Sequence, residues 1–132
     1  VNPERTYLEK LFLLHEEFKK PQDKIRVERL SRHLYDITKI YNSKHKDKAY
    51  NQELIVAIIK HRERFNGMRG VDYSTLYPPN LNPIPPQEFI KTWEEDYKTM
   101  QTNMIPEDSP SFKDLLETVK QATKEYNALK FE

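Results

Sequence analysis

The sequence predicts an all-α protein of about five helices packed as an irregular bundle. Apolar residues recur at spacings of three and four through most of the chain, the period of a helix with one buried face. No stretch alternates with the two-residue period of a strand. Glycine and proline gather in a few breaks between the periodic stretches rather than inside them.

Composition is consistent with this class. The 132 residues suit one domain with a modest core, read as a single helical domain over 1–132. Hydrophobic residues make up 36% and charged residues 33%, so the helices are expected to carry strongly polar outer faces. Net charge is +1, from 22 basic and 21 acidic side chains, and this balance makes no global demand for nucleic acid or an anionic membrane. Cysteine is absent, which excludes a disulfide scaffold and thiolate chemistry and fits a cytoplasmic protein. No apolar run approaches a membrane span and no secretory signal opens the chain, so no membrane partner is expected. The chain opens at Val1 with a helix cap almost at once and reads as an excised piece of a longer protein.

The first helix starts at "NPERTYLEK", where Asn2 suits the N-cap and Pro3 the first helical position. It is expected to run to about Lys20, before Pro21. Leu8, Leu11, Phe12, His15 and Phe18 form its stripe, and Leu13 and Leu14 widen it until the helix is apolar around much of its girth. Lys10 falls between Leu13 and Leu14 on the wheel, so its ammonium must snorkel outward, meet an acid or face a polar cavity. The second helix is expected from about Lys24 to Asn42, with Val27, Leu30, Leu34, Ile37 and Tyr41 as its seam. "SKHKDK" then reads as a polar turn.

The third helix is expected over Asn51 to Phe65, with Leu54, Ile55, Ile58 and Ile59 inward and a basic "KHRER" end that suits the helix dipole. Gly67 and Gly70 open a break that continues into "VDYSTLYPPNLNPIPPQE", whose prolines exclude a helix interior. Residues 67–86 are therefore expected to form a long ordered, proline-rich loop, with Tyr73, Leu76, Tyr77, Leu81 and Ile84 packed on the body. A fourth helix runs from about Pro86 to Asn103, with Phe89, Ile90, Trp93, Tyr97 and Met100 inward. After the break "IPEDSPS", Ser109 or Ser111 caps a fifth, carrying Phe112, Leu115, Leu116, Val119, Ala122, Tyr126 and Leu129.

One stretch carries chemistry beyond packing. In "RVERLSRHLYDI", a helical spacing places Arg29, Arg32, His33 and Asp36 on one face, opposite the apolar seam. The plain reading is an exposed ion-pair face worth under ~1 kcal/mol. Lys10 argues for more. A short connection makes the first two helices antiparallel neighbours, which brings Lys10 level with Arg32–Asp36. A lysine, two arginines, a histidine and an aspartate lining one pocket would suit phosphate. Elsewhere the signals are weaker. The four histidines lack metal-ligand spacing, so no metal site is expected, and His15 on an apolar stripe reads as a hydrogen-bonded core residue. "SKHKDK" and "KHRER" read as solvated segments rather than RNA contacts, because no stacking aromatics interleave with them. No phosphate-binding glycine loop or nucleophile elbow occurs.

"NPERTYLEKLFLLHEEF" followed by "RLSRHLYDI" resembles the C-terminal helical part of nucleotidyltransferase toxins of the AbiEii/AbiGii type. Glu9 and Lys10 match the family's glutamate–lysine pair inside an apolar helix. Arg32, Tyr35, Asp36 and Ile37 match its arginine followed by a "D-x-x-D-L"-like run, with His33 standing where relatives carry the first aspartate. The two motifs cover about the first third of the chain. The resemblance implies a toxin–antitoxin or abortive-infection enzyme that moves a nucleotide from an NTP onto an acceptor, in some members a tRNA end. It implies Lys10 on the triphosphate, Asp36 in the active site and a cognate antitoxin as partner; with the shared helical face, His33 joins the expected catalytic residues, and Glu9, Arg29 and Arg32 are expected on the substrate side. The His33 departure leaves the general base open. The chain has no Asp-x-Asp and no Gly-Ser turn, the elements that hold Mg²⁺ against the triphosphate in such enzymes. Mg²⁺ and NTP are thus expected for a full-length protein with its own N-terminal catalytic domain, no cofactor for this fragment, and no activity from it alone. A non-catalytic helical protein- or RNA-interaction module, its charged face a salt-bridge network, is the competing class.

Overall fold

In the computed structural model, residues 2–66, 72–106 and 108–131 are described. Six α-helices occur among them: α1 (Pro3–Phe18), α2 (Arg32–Tyr41), α3 (Lys46–Ala49), α4 (Gln52–Asn66), α5 (Ile90–Asn103) and α6 (Phe112–Asn127). The described residues contain no strand. Helix α1 is the axis of the structure, packing against α2, α3 and α4, while α2 also packs against α6. Its start follows the sequence signal: Asn2 Oδ1 accepts the Arg5 amide at 3.0 Å and Pro3 takes the first helical position. Tyr7, Leu8, Leu11, Phe12 and Leu14 are fully buried, each worth about 1.5–3 kcal/mol of hydrophobic stabilisation. His15, Glu16 and Glu17 are buried too, which completes a helix enclosed around most of its girth. Glu16 pairs with Arg62 of α4. The helix ends at Phe18, two residues short of the expectation, because Lys19 and Lys20 turn back onto the Glu16 and Glu17 carbonyls.

The main correction concerns the second helix. It begins at Arg32, not near Lys24. Between α1 and α2 lie one turn of 3-10 helix (Gln22–Lys24), an extended residue Ile25, and a turn through Arg29, whose φ is 64°. A left-handed backbone at a non-glycine residue costs about 1–2 kcal/mol. Two carboxylates hold it. Glu17 accepts the Arg26 amide at 2.8 Å and its guanidinium at 2.8 and 3.1 Å. Asp96 of α5 accepts the Arg29 amide at 2.9 Å, the Ser31 amide at 3.2 Å and the Ser31 hydroxyl. These bonds take up backbone donors that a longer helix would have used. Val27 and Leu30 still pack half-buried against the core, but from a loop. The "SKHKDK" segment is corrected as well, since Lys46–Ala49 forms α3 rather than a plain turn. Helix α4 buries Ile55, Ile58 and Ile59, as the periodicity requires, and Asn51 Oδ1 accepts the Leu54 amide at its start.

Of the expected loop, residues 67–71 lie outside the described residues. From Asp72 onward the chain makes a 3-10 turn (Tyr73–Leu76) and then runs irregularly to Pro86, with Tyr73, Leu76, Leu81, Pro83 and Pro85 buried. Polar anchors fasten it. His15 Nδ1 accepts the Asn82 amide at 2.8 Å, so Nε2 carries the proton and donates to Thr75 Oγ1, also at 2.8 Å. Asn127 of α6 pairs with both the amide and the carbonyl of Leu81, and the Tyr126 hydroxyl donates to the Leu76 carbonyl. Burial, then the nearby Lys19, pushes the His15 pKa down to about 4. A 3-10 turn (Gln87–Phe89) leads into α5, which buries Trp93, Tyr97 and Met100. Trp93 stacks at a tilt on Phe18, centroids 5.0 Å apart. Of the two candidate caps for α6, Ser111 does the capping, accepting the Asp114 amide. Ser109 instead accepts hydrogen bonds from Tyr97 and Gln101.

Candidate functional site

Helices α1 and α2 run antiparallel: Glu17 meets Arg26 near their connection, and Lys10 meets His33 and Asp36 farther from it. Lys10 Nζ lies 3.0 Å from His33 Nδ1 and 3.3 Å from Asp36 Oδ2. The awkward wheel position of Lys10 is resolved in this way: the ammonium leaves the apolar girdle of α1 and meets an acid on α2. An ammonium only donates, so Nδ1 of His33 accepts and the neutral ring carries its proton on Nε2. Burial and then the Lys10 charge push the His33 pKa down to about 4, with Asp36 only partly opposing them. At neutral pH this imidazole is uncharged, its Nδ1 is occupied, and it offers an N–H donor at Nε2. It is a poor proton acceptor in this arrangement.

The ammonium has three N–H groups, and two are engaged by His33 and Asp36. The third is left for an incoming acceptor, and the lysine and aspartate side chains are 26% and 25% exposed, so solvent and ligand can reach them. Arg32 is exposed next to His33 and forms no ion pair among the described residues. The remaining two expected members are elsewhere. Arg29 sits in the turn before α2, exposed, and does not share the helical face with His33 and Asp36. Glu9 pairs with Arg5 one turn earlier on α1, at 3.1 Å, rather than with the lysine cluster.

Sequence reasoning missed the groups that place these side chains. Burial works to raise the Glu17 pKa, but hydrogen bonds from Arg26 and Lys20 hold it below the ordinary carboxylate value. A glutamate within a helix apolar all round was the available signal for this residue. Asp96 had no local signal, since its partners lie more than sixty residues earlier. A second polar cluster was also missed. Tyr7 and Tyr50 share a hydrogen bond of 2.8 Å, and Tyr50, Tyr41, Lys46 and Gln121 all reach the carboxylate of Glu125.

The donor set suits an anion, not a divalent cation. Asp36 is a single carboxylate with an ammonium 3.3 Å away, and that charge repels a metal at the same spot. Among the described residues no group of three or more His, Cys, Asp or Glu side chains is placed to hold a metal ion. No helix among them is long and apolar enough to cross a membrane.

The described residues thus form a helical fold in which a lysine of α1 meets an imidazole and a carboxylate of α2. The family comparison gives the class: the chain matches the model of the nucleotidyl transferase AbiEii toxin of type IV toxin–antitoxin systems over residues 1–118. That is most of its length, and the chain belongs to this family. No curated protein and no solved structure gives a significant match.

Proposed function

We propose that this chain is the nucleotide-binding helical domain of a nucleotidyl transferase toxin, and that Lys10, His33 and Asp36 form its phosphate-facing site, with Arg32 at the rim. The observation that carries the reading is the shared contact of Lys10 with His33 and Asp36, which leaves one ammonium hydrogen unspent. Lys10 acts as a point charge on a triphosphate oxygen. Asp36 aims the ammonium through its 3.3 Å contact. His33 adds its Nε2–H as a neutral donor. Arg32, unpaired and adjacent, closes on a second phosphate with its fork. The residues here do not fit Mg²⁺, so metal-dependent steps are assigned to a catalytic portion carrying its own carboxylates, and none is routed through this cluster. The substrate is an NTP, the acceptor an RNA end such as that of a tRNA, the partner a cognate antitoxin, and the compartment the cytoplasm.

Full-length protein with labelled NTP provides the test. Lys10→Ala is expected to lower nucleotide transfer roughly 10- to 100-fold, the equivalent of one charged hydrogen bond at ~1.5–3 kcal/mol. Asp36→Ala should fall in the same range by freeing the ammonium to wander. If both variants transfer nucleotide at the wild-type rate, the site is wrongly placed, and the interaction-module reading takes over.

A further inference from the structure

We propose that Asp96, on α5, is a positioning residue for the Lys10–His33–Asp36 cluster: it caps α2 from another helix and so fixes where that helix begins. The inference rests on the functional reading above only in calling the cluster a site; the coupling itself stands on geometry.

Helix α2 lacks a cap of its own. Ser31 occupies the N-cap position in a helical backbone conformation, and its side chain accepts no amide from the first turn. The serine is fully buried and turns its hydroxyl on Asp96 instead. The same carboxylate takes the Arg29 amide with one oxygen and the Ser31 amide with the other. One side chain therefore satisfies three donors at the start of α2 and places a negative charge where the helix dipole favours it. It also opposes a local tendency. The apolar spacing of Val27, Leu30, Leu34 and Ile37 is helical, yet the backbone at Arg29 has a φ of 64°. Among the described residues no other side chain accepts from both amides flanking this turn, so the tertiary carboxylate ends the helix that the local sequence would continue.

The consequence for the site is graded. His33 is the second residue of α2 and Asp36 the fifth. Loss of a cap frays the first turn before the second. Without Asp96, the bond between His33 and Lys10 should fail first, while the Lys10–Asp36 pair persists. A residue on α5 that touches none of the three would then control whether the imidazole stays oriented and uncharged.

Imidazole nitrogen resonances of the chain, followed through a pH titration, test this without any nucleotide. Wild-type His33 is expected to show the Nε2–H tautomer and to titrate near the value of about 4 set by burial, Lys10 on α1, Asp36 and Arg32 on α2, and Arg26 in the connection. In Asp96→Ala, His33 should titrate about one pH unit or more higher, toward the ordinary 6.5, and lose the single tautomer. His15, on α1 and hydrogen-bonded to the 72–86 segment, should not move and serves as the internal control for a merely loosened fold. Asp96→Asn keeps one acceptor oxygen and should fall between the two; it carries the test if the alanine variant does not fold. A folded Asp96→Ala or Asp96→Asn chain whose His33 tautomer and titration match wild type overturns the proposal. Titration with ATP separates the two ideas. Wild-type protein that fails to bind ATP refutes the functional reading while a shifted His33 still supports the coupling. Wild-type binding with an unmoved His33 in both variants refutes the coupling alone.

Discussion

Two polar clusters tie the helices together, one centred on the acceptor Glu125 of α6 and the other on the donor Lys10 of α1. At one, Glu125 receives hydrogen bonds or ion pairs from Tyr41, Tyr50, Gln121 and Lys46, and Tyr50 in turn bonds Tyr7. Burial works to raise the Glu125 pKa, but those donors hold it below the ordinary value, and burial pushes the Tyr7 and Tyr50 hydroxyls upward. A carboxylate has about four lone-pair sites, and here four donors approach them. At the other cluster, Lys10 keeps a third N–H, His33 keeps Nε2–H, and Arg32 beside them has no ion-pair partner among the described residues. A carboxylate whose acceptor sites are filled, a closed cluster, fixes helices, whereas an ammonium with a donor unspent, an open one, has capacity to bind.

The largest expected effect tests the closed cluster. Glu125→Ala leaves Tyr41, Tyr50 and Lys46 without their acceptor and should cost about 3 kcal/mol, the scale of stranding partly buried donors. Chemical denaturation reads this directly, and ATP affinity of the folded fraction should not change. The open cluster should behave in reverse. Lys10→Ala is expected to weaken ATP binding by about 2 kcal/mol, the scale of one charged hydrogen bond, with stability within ~1 kcal/mol of wild type because water reaches this partly exposed ion pair. Should Lys10→Ala destabilise the chain as much as Glu125→Ala, without affecting ATP, the two clusters are alike and the comparison collapses.

Two histidines sharpen the contrast through pH. His15 and His33 are both pushed down to about 4. The unfolded chain protonates them near 6.5, so between those values it binds more protons than the folded chain, and acid favours unfolding. Their contribution is fully present above about pH 6.5 and disappears as pH falls through the folded value near 4. For fully buried His15 the expected loss from pH 7 to 5 is about 2 kcal/mol. The His33 share is smaller, because its ring is only partly buried. Urea midpoints across this range should therefore fall with acid, and His15→Gln should flatten most of the slope. A slope removed by His33→Gln instead would show that the lysine cluster, not the contact of His15 with the 72–86 segment, carries the acid sensitivity.

How much of this was readable beforehand depended on sequence distance. The cap of α1 was, because Asn2 and Pro3 lie beside the helix they start. The meeting of Lys10 with His33 and Asp36 was also readable, since a polar residue in an apolar girdle needs a partner and a short connection supplies one nearby. The beginning of α2 was not. Val27 and Leu30 reach the core whether or not the backbone between them is helical, so periodicity was blind to the turn at Arg29. What decides that turn is Asp96, and nothing near Ser31 in the chain announces it. The Glu125 hub was hidden for the same reason, its tyrosines being scattered over three segments.

Arg29 offers the smallest effect and the most specific check on the boundary of the open cluster. Its backbone is left-handed, a conformation glycine adopts without the clash that a Cβ makes with the carbonyl. Arg29→Gly should remove about 1–2 kcal/mol of strain but restore freedom to the unfolded chain, at about 0.5–1 kcal/mol. The net expectation is a gain of about 0.5 kcal/mol, with the amide still donating to Asp96. Because the side chain is exposed and off the helical face, ATP affinity should match wild type. If Arg29→Gly weakens ATP binding as Lys10→Ala does, then the guanidinium reaches the phosphates from the turn. The open cluster would then extend to the segment that Asp96 clamps, and the capping carboxylate would sit one residue away from the ligand rather than behind it.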